Sequence, residues 1–222
     1  YGQYCPVARA AEILGDRWTL LIVRDMLYGA EHFNELERGL PGISRALLSK
    51  RLRRLQRTGI IERRVTGKGN GTKYVLTPAG IALQTVVDSL FEWSAEWCFG
   101  EPDPDELHPF LVMWWLRAYV VHENLPERRT AIQFDLRCPD GPSETYWMVM
   151  QPGDVSICLG DPGFETNLLV HAEVEALYRV VLGMLPYEEA LRGGQLEIDA
   201  TPASEQDFFT WFAWHIAPKE KR

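Results

Sequence analysis

The stretch SRALLSKRLRRLQRTGIIERRVTGKGNGTKYVLTPAG, residues 44–80, decides the fold of the first half of the chain. Leu48, Leu52 and Leu55 recur at intervals of four and three, the spacing of one helix face. Ser44 precedes this helix, and a serine there accepts a hydrogen bond from a free amide of the first turn. Small and basic residues occupy the opposite face. We therefore predict a helix with one buried face and one cationic face.

A glycine-rich hairpin follows the basic helix. Two short apolar segments, Ile60-Ile61 and Tyr74–Leu76, flank a tip that contains three glycines and Asn70. Glycine adopts the positive φ angles of a tight hairpin, and a small tip fits a narrow minor groove. A basic helix followed by a basic hairpin indicates a winged helix-turn-helix, which holds cations against DNA phosphates.

Helix-turn-helix proteins insert the first part of their second helix into the major groove. Arg45 and Lys50 are therefore expected to contact base edges, and the small side chains of Ala46 and Ser49 allow close approach. Arg54, farther along, is expected at phosphates. The predicted DNA-binding residues are Ser44, Arg45, Ala46, Ser49, Lys50, Arg53, Arg54, Arg63, Arg64, Lys68 and Lys73. The alternative for the helix alone is a solvated basic face.

Three further helices are predicted in this half. The first carries Trp18, Leu21, Ile22 and Met26 at helical spacing after Asp16, a plausible N-cap. A short helix spans about 32–39. The third begins at Thr77-Pro78 and runs to about 97 with more apolar surface than a small winged domain covers. That surface indicates either a dimer interface or packing against a second domain.

Charge divides the chain into two parts. The whole sequence has a formal net charge of −8, but residues 1–75 hold 14 Lys and Arg against 7 Asp and Glu, a net +7. Residues 101–222 hold 9 against 21, a net −12. Such asymmetry predicts two domains with different partners. Repulsion from phosphates keeps the acidic half away from DNA.

Several classes of protein are not indicated. No run of about 18 apolar residues is present, so no transmembrane helix is expected. The cysteines at 5, 98, 138 and 158 lack CxxC spacing, which favours a reduced, cytoplasmic protein without a signal peptide. Five scattered histidines lack metal-ligand spacing, and no nucleophile or phosphate-loop motif occurs. We expect no metal, no cofactor and no enzymatic activity.

One set of motifs carries a family resemblance: Cys5-Pro6, GDRWTLLIVRDML, PGISRALLSKRLRRL, GIIERR, YVLTPAG and Trp93. On these motifs, residues 5–97 resemble the HxlR family of bacterial transcription regulators. The resemblance implies a MarR/HxlR-like winged helix that forms a homodimer on a palindromic operator of double-stranded DNA. Some members sense oxidants through an N-terminal cysteine, the place that Cys5 occupies. An ordinary, partly buried thiol is the alternative, and the one we favour.

The second half follows an acidic, proline-containing linker at 101–105. A helix at 108–122 is apolar on more than one side. Strands are predicted at 131–138, 145–151, 155–160, 166–172 and 195–201, and helices at 173–185, 187–191 and 203–216. Ile132, Phe134 and Leu136 are expected to point inward. The order of elements indicates an α+β domain.

The phrase VEALYRVVLGMLPYEEALRGGQLEID, the element order and the closing aromatic helix make residues 106–216 similar to the sterol carrier protein type 2 fold. That similarity implies an apolar tunnel for a lipid or other hydrophobic molecule. Aromatic walls with few polar groups are typical of such sites, although most of these rings simply fill a core. Our candidate lining residues are Trp114, Trp115, Phe134, Trp147 and Met148.

The sequence therefore predicts a DNA-binding and dimerisation domain at 1–100 and a ligand-binding domain at 106–216. We expect a homodimeric regulator whose operator binding is modulated by a hydrophobic small molecule, lipid or polyketide-like, without membrane association. One alternative is a thiol-based redox regulator that uses Cys5, with the second domain as a structural or interaction module. Another is a lipid carrier tethered to a DNA-binding module without regulation.

Overall fold

The structure is a computed structural model that describes residues 1–66, 71–200 and 207–214. The chain divides into two compact units, Tyr1–Phe99 and Gly100–Arg222, which we call unit 1 and unit 2. No helix in the described ranges has the length and apolar character needed to cross a membrane.

Unit 1 is a helical domain with a two-stranded hairpin. Its elements are α1 (Pro6–Leu14), α2 (Thr19–Leu27), α3 (Phe33–Arg38), α4 (Arg45–Arg57), β1 (Ile61–Thr66), β2 (Gly71–Leu76), α5 (Pro78–Ile81) and α6 (Gln84–Trp97). The strands pair antiparallel. Ile22, Leu36, Leu48, Leu52 and Leu55 are almost completely buried, so α2, α3 and α4 meet in one core. This confirms the prediction that Leu48, Leu52 and Leu55 form the buried face of α4.

Two predicted helix starts are confirmed. Ser44 is the N-cap of α4, where its side chain accepts a hydrogen bond from the amide of Leu47. Thr77 caps α5 in the same way and accepts from the amide of Gly80. Each hydroxyl satisfies an amide that the first helical turn leaves without an intrahelical partner.

The beginning of α2 differs from the prediction. Trp18, with φ of +79°, occupies the N-cap position, and the side chain of Asp16 does not cap the helix. The Asp16 carboxylate instead pairs with two arginines of α4, which lie far along the sequence. Local spacing in the sequence predicted the helix correctly. The Asp16 carboxylate, however, forms ion pairs with distant residues and does not cap the helix.

The helix predicted from 78 to about 97 is interrupted at residues 82–83, between α5 and α6. The amide of Leu83 bonds to the carbonyl of Gly80, three residues back, which ends the first segment. Gly80 itself packs closely against the preceding chain, because a Cβ there would lie 2.3 Å from the carbonyl oxygen of Ile60.

Unit 2 is α+β. Its elements are α7 (Pro109–Ala118), β3 (Thr130–Arg137), β4 (Glu144–Gln151), β5 (Asp154–Cys158), β6 (Thr166–Glu173), α8 (Val174–Val181), α9 (Tyr187–Arg192) and β7 (Leu196–Asp199). The five strands form one sheet in the order β5-β4-β3-β6-β7. Strands β3 and β6 are parallel, and the other neighbours are antiparallel.

One face of this sheet packs against the helices of unit 2. Ile132, Phe134 and Leu136 point into that core and are fully buried, as predicted, because alternate residues of a strand share a face. Val170 and Met148 lie in the same layer. The sheet and its helices therefore enclose one apolar core.

The last predicted helix is shorter in the part that the structure describes. Residues 207–210 are helical, and Phe212 then forms an antiparallel bridge with Val120. The amide of Val121 bonds to the carbonyl of Trp211, and that of Ala213 to Tyr119. Extended pairing with the segment after α7 thus ends the helix. The rest of the prediction, at 203–206 and 215–216, lies outside the described residues.

Candidate nucleic-acid interface

The exposed face of α4 is the candidate DNA-reading surface. Ser44, Arg45, Ala46, Lys50 and Arg53 are exposed on the side opposite the buried leucines, and Ser49 is partly exposed there. Among the described residues, Lys50 and Arg53 take part in no ion pair. Their charges therefore face solvent and are free to meet an anionic partner.

Arg45, the first residue of α4, is held by two residues of α3. Its Nη1 donates to the carboxylate of Glu37. Its guanidinium carbon lies 4.9 Å from the centre of the Phe33 ring, within the range of cation–π attraction. The arginine side chain is still 65% exposed. The guanidinium is thus oriented at the surface.

Arg54 differs from the expectation of a phosphate contact. Its Nη1 donates to Asp16, and its Nη2 donates to the carbonyl oxygen of Glu12. Arg51 pairs with the same Asp16 carboxylate at 2.6 Å. Both arginines therefore fasten α4 to Asp16, between α1 and α2, and Arg54 also fastens it to the last turn of α1. We replace phosphate contact with internal bracing as the proposed role of Arg54, because its Nη1 and Nη2 atoms each donate within the domain.

The hairpin, or wing, contributes cations of several kinds. Arg63 donates to the hydroxyl of Thr72, Arg64 pairs with Glu62 at 3.1 Å, and Lys73 pairs with Glu31 at 2.9 Å. The predicted DNA contact Lys68 lies outside the described residues.

The wing strand β2 is fixed to the turn before α3. The amide of Tyr74 donates to the carbonyl of Glu31 at 2.7 Å, beside the Glu31–Lys73 ion pair. The Nδ1 atom of His32 lies 3.2 Å from the carbonyl oxygen of Thr72. These contacts set the position of the hairpin relative to the helices of unit 1.

Unit 1 also contains a buried carboxylate. Asp25 on α2 is fully buried, and its Oδ1 accepts from Arg24 at 2.8 Å. Its Oδ2 has no hydrogen-bond partner in the described part of the chain. Burial raises the pKa of Asp25 to about 6, and the neighbouring Arg24 only partly offsets this effect.

The sequence analysis did not predict the acidic residues that pair with the basic side chains of this interface. They are Glu37, Asp16 and Glu31.

Comparison with known proteins covers this unit. The sequence model of the HxlR-like helix-turn-helix family matches residues 13–102. The HTH-type transcriptional regulator YvaP of Bacillus subtilis is 36% identical over 97 residues, which are 43% of this chain and 90% of YvaP. The chain belongs to the HxlR-like helix-turn-helix family. It is a DNA-binding transcriptional regulator with a winged helix fold in unit 1.

Other relatives match the same HxlR-like unit. The regulator YodB of B. subtilis is 34% identical over 96 residues, 42% of this chain and 86% of YodB. A regulator of Mycobacterium tuberculosis, Rv3095, is 40% identical over 92 residues, 41% of this chain and 58% of its own length. The reduced form of YodB, a solved structure, has a TM-score of 0.39 and 34% identity over 43% of this chain and 96% of that one.

The HxlR-like unit ends in an exposed apolar helix. None of the residues of α6 is buried, and Leu90, Trp93 and Trp97 are all among the exposed large side chains. Trp97 is 69% exposed. Large apolar groups clustered on one exposed helix indicate a protein–protein contact surface.

Cys5 occupies the N-cap position of α1 and is partly exposed. Its carbonyl accepts from the amide of Arg9, and its side chain makes no capping hydrogen bond. Cys5, Cys98, Cys138 and Cys158 all lie in the described part of the chain, and none of them forms a disulfide there.

The five residues predicted to line a ligand site in unit 2 do not lie together. Phe134 and Met148 are fully buried in the core between sheet and helices, and Trp114 on α7 is 5% exposed. Trp115 packs partly buried against the same core. Trp147 points to the opposite face of the sheet, because it neighbours Met148 in an alternating strand. We therefore remove Trp147 from the candidate set.

Trp114 has a distinctive environment. Its ring is stacked with Phe110 at 6.3 Å, and the Arg117 guanidinium carbon lies 4.7 Å from its centre. The indole Nε1 is buried and has no hydrogen-bond partner in the described residues. A buried N–H without an acceptor is uncommon in native proteins. None of the groups of His, Cys, Asp and Glu in the described chain has a geometry that suits a metal ion.

Proposed function

We propose that the HxlR-like unit reads a double-stranded operator with the first two turns of α4. Ser44, Arg45, Ala46, Ser49 and Lys50 contact base edges in this proposal. Arg53 and the wing residues Arg63, Arg64, Lys68 and Lys73 contact phosphates. The observation that carries the proposal is the exposed cationic row on α4, opposite a fully buried leucine face. Arg54 is left out because it braces the domain.

Two classes of substitution test this division. Lys50→Ala is expected to cost about 1–3 kcal/mol of operator binding and to relax specificity. Arg63→Ala is expected to weaken operator and unrelated duplexes alike and to lower the salt dependence by about one counterion. Fluorescence anisotropy over a range of salt concentrations measures both. Unchanged specificity in Lys50→Ala contradicts base readout by α4.

We propose that the protein acts as a homodimer through the apolar face of α6. Two copies of Leu90, Trp93 and Trp97 bury each other's side chains in this arrangement, which removes apolar surface from water. A palindromic operator then matches the two-fold axis of the dimer. Leu90→Arg is expected to shift sedimentation from dimer to monomer. A wild-type monomer at micromolar concentration contradicts the proposal.

We propose that unit 2, over residues 106–216, is a sterol-carrier-like domain that binds a hydrophobic small molecule and changes operator affinity. An α+β core with α7 over the sheet supports this, as does the orphaned Nε1 of Trp114. A carbonyl, hydroxyl or carboxylate on a ligand satisfies that N–H. Trp115, Phe134 and Met148 supply apolar walls in this proposal. The same proposal divides the chain so that residues 1–100 form the DNA-binding domain.

The ligand proposal has a matched pair of tests. Palmitate, cholesterol and an aromatic polyketide are screened for an increase in the melting temperature of the full chain and a change in operator affinity. Trp114→Phe removes the indole N–H and is expected to reduce the ligand-induced shift. Trp147→Phe, on the other face, is expected to leave it unchanged. A melting temperature and an operator affinity that none of the compounds changes contradict the proposal.

A redox regulator is the second candidate function. Cys5 is partly exposed at the N-terminal end of α1, so small reagents can reach its thiol. On this hypothesis, an electrophile or oxidant modifies Cys5 and changes operator binding. A quinone-dependent loss of operator binding that disappears in Cys5→Ser favours this candidate. Unit 2 is then a structural or interaction module.

A further inference from the structure

The first turn of α4 and one face of α3 form a small cluster of polar and aromatic side chains around Arg45. Phe33 and Glu37 lie four residues apart on α3, so their side chains share a face. That face meets Arg45 from two sides: the carboxylate of Glu37 accepts from Nη1, and the Phe33 ring lies beside the guanidinium. The acid is the less exposed partner, at 28% against 65% for the arginine.

The other exposed cations of the described surface lack this arrangement. Lys50 and Arg53 have no ion pair among the described residues. Arg64 has an acid partner, Glu62, but both side chains are more than half exposed and lie two residues apart on one strand. Exposed pairs of that kind impose little orientation. Arg45 is thus the cation of α4 whose orientation is set by both an acid and a ring.

An arginine that is paired and oriented behaves differently from a free one on DNA. Attraction to phosphate depends mainly on net charge, which the carboxylate of Glu37 reduces. Recognition of a guanine edge depends on two N–H groups held in a fixed direction. A guanidinium has five N–H donors, so one bond to Glu37 leaves others for a base. The pair therefore disfavours phosphate contact and favours base contact.

We propose that Glu37 is a specificity-determining residue of this regulator. It positions Arg45 for a base edge and prevents the guanidinium from binding phosphates on unrelated DNA. Phe33 supports the same orientation from the other side. This inference rests on the proposed base contact of Arg45 and adds an acidic residue, outside the basic surface, to the determinants of operator choice.

The test uses the full chain and two duplexes. An operator duplex is selected from a random library with the wild-type protein, and a shuffled duplex of equal composition serves as the unrelated DNA. Anisotropy titrations over several salt concentrations give both affinities and their ratio. The variants are Glu37→Gln, Arg45→Ala, their combination, and Glu62→Gln as a matched control. The control removes one negative charge from the same basic surface, beside Arg64.

Glu37→Gln is expected to raise affinity for the shuffled duplex and to steepen its salt dependence by about one counterion. The ratio of operator to shuffled affinity is expected to fall about fivefold or more, the scale of one bidentate base contact. Glu62→Gln is expected to raise both affinities by the same factor and to leave the ratio unchanged. In the Arg45→Ala background, Glu37→Gln is expected to have no effect on the ratio.

Two outcomes overturn the inference. One is that Glu37→Gln and Glu62→Gln have the same ratio of operator to shuffled affinity. Glu37 would then act only as a general negative charge. The other is a fall in the ratio that persists in the Arg45→Ala background, which shows that Glu37 acts elsewhere. If Arg45→Ala alone leaves the ratio unchanged, base readout by Arg45 fails as well. Equal melting temperatures of the variants exclude misfolding as the cause.

Discussion

The buried carboxylate of Asp25 leads to a quantitative prediction about stability and pH. Asp25 lies in the core of unit 1 with one charged neighbour, Arg24, and one oxygen without a hydrogen-bond partner in the described chain. Replacement by asparagine, Asp25→Asn, keeps the shape of the side chain and removes its ionisation. The substitution therefore isolates the free-energy cost of burying the charge.

The magnitude follows from the pKa. Burial raises the pKa of Asp25 from 3.8 to about 6 in the folded protein. At about 1.4 kcal/mol per pH unit, this difference corresponds to about 3 kcal/mol of unfolding free energy. Because the folded state binds the proton more tightly, this stability is fully present below the unfolded pKa. It is lost as pH rises towards 6, and about 2 kcal/mol of the loss falls between pH 4 and pH 7.

Urea unfolding of the fragment 1–99 measures the effect, because relatives such as YvaP consist almost entirely of this unit. We expect the unfolding free energy of Asp25→Asn minus that of the wild type to rise by about 2 kcal/mol from pH 4 to pH 7. The constant cost of the substitution cancels in this comparison. Asp88→Asn, at an exposed position on α6, is the control and is expected to show no comparable rise. A difference for Asp25→Asn that stays flat refutes the reasoning.

Two further predictions concern packing and the α4 arginines. Gly80→Ala places a Cβ 2.3 Å from the carbonyl oxygen of Ile60 and is expected to lower the unfolding free energy by about 2 kcal/mol or more; an unchanged melting temperature contradicts the close contact. Arg54→Met removes the ion pair with Asp16. It is expected to lower the unfolding free energy by about 1 kcal/mol and to leave the salt dependence of DNA binding unchanged. Arg53→Met is expected to leave the unfolding free energy unchanged and to reduce the salt dependence of DNA binding by about one counterion. Identical salt dependences in the two variants contradict the assignment of Arg53 to DNA and Arg54 to internal bracing.

Much of the geometry of the candidate DNA-binding surface was predictable because its signals are local. The interval between Leu48, Leu52 and Leu55 fixes which side of α4 is buried, and so which side carries Lys50 and Arg53. Ser44 marks the first residue of that helix through its own hydroxyl. These relations lie within one or two helical turns, so they do not depend on where the rest of the chain lies.

The partners of the charged residues were not predictable in the same way. Asp16 reads locally as a helix cap, but its carboxylate meets Arg54, 38 residues away. Glu31 meets Lys73 at a separation of 42 residues. Which cations remain available to DNA depends on these pairs, and spacing along the sequence contains no information about them.

The sequence by itself determined most of the elements of both units and the buried faces of α4 and β3, because helix and strand periods are properties of neighbouring residues. It determined that Met148 and Trp147 alternate in one strand, although not which of them enters the core; the packing of α7 and α8 on one side of the sheet decided that. Tertiary structure also decided that Arg45 is held by Glu37 and that Asp25 is buried beside Arg24. Ion pairs and burial depend on distances between segments, and only the folded chain sets those distances.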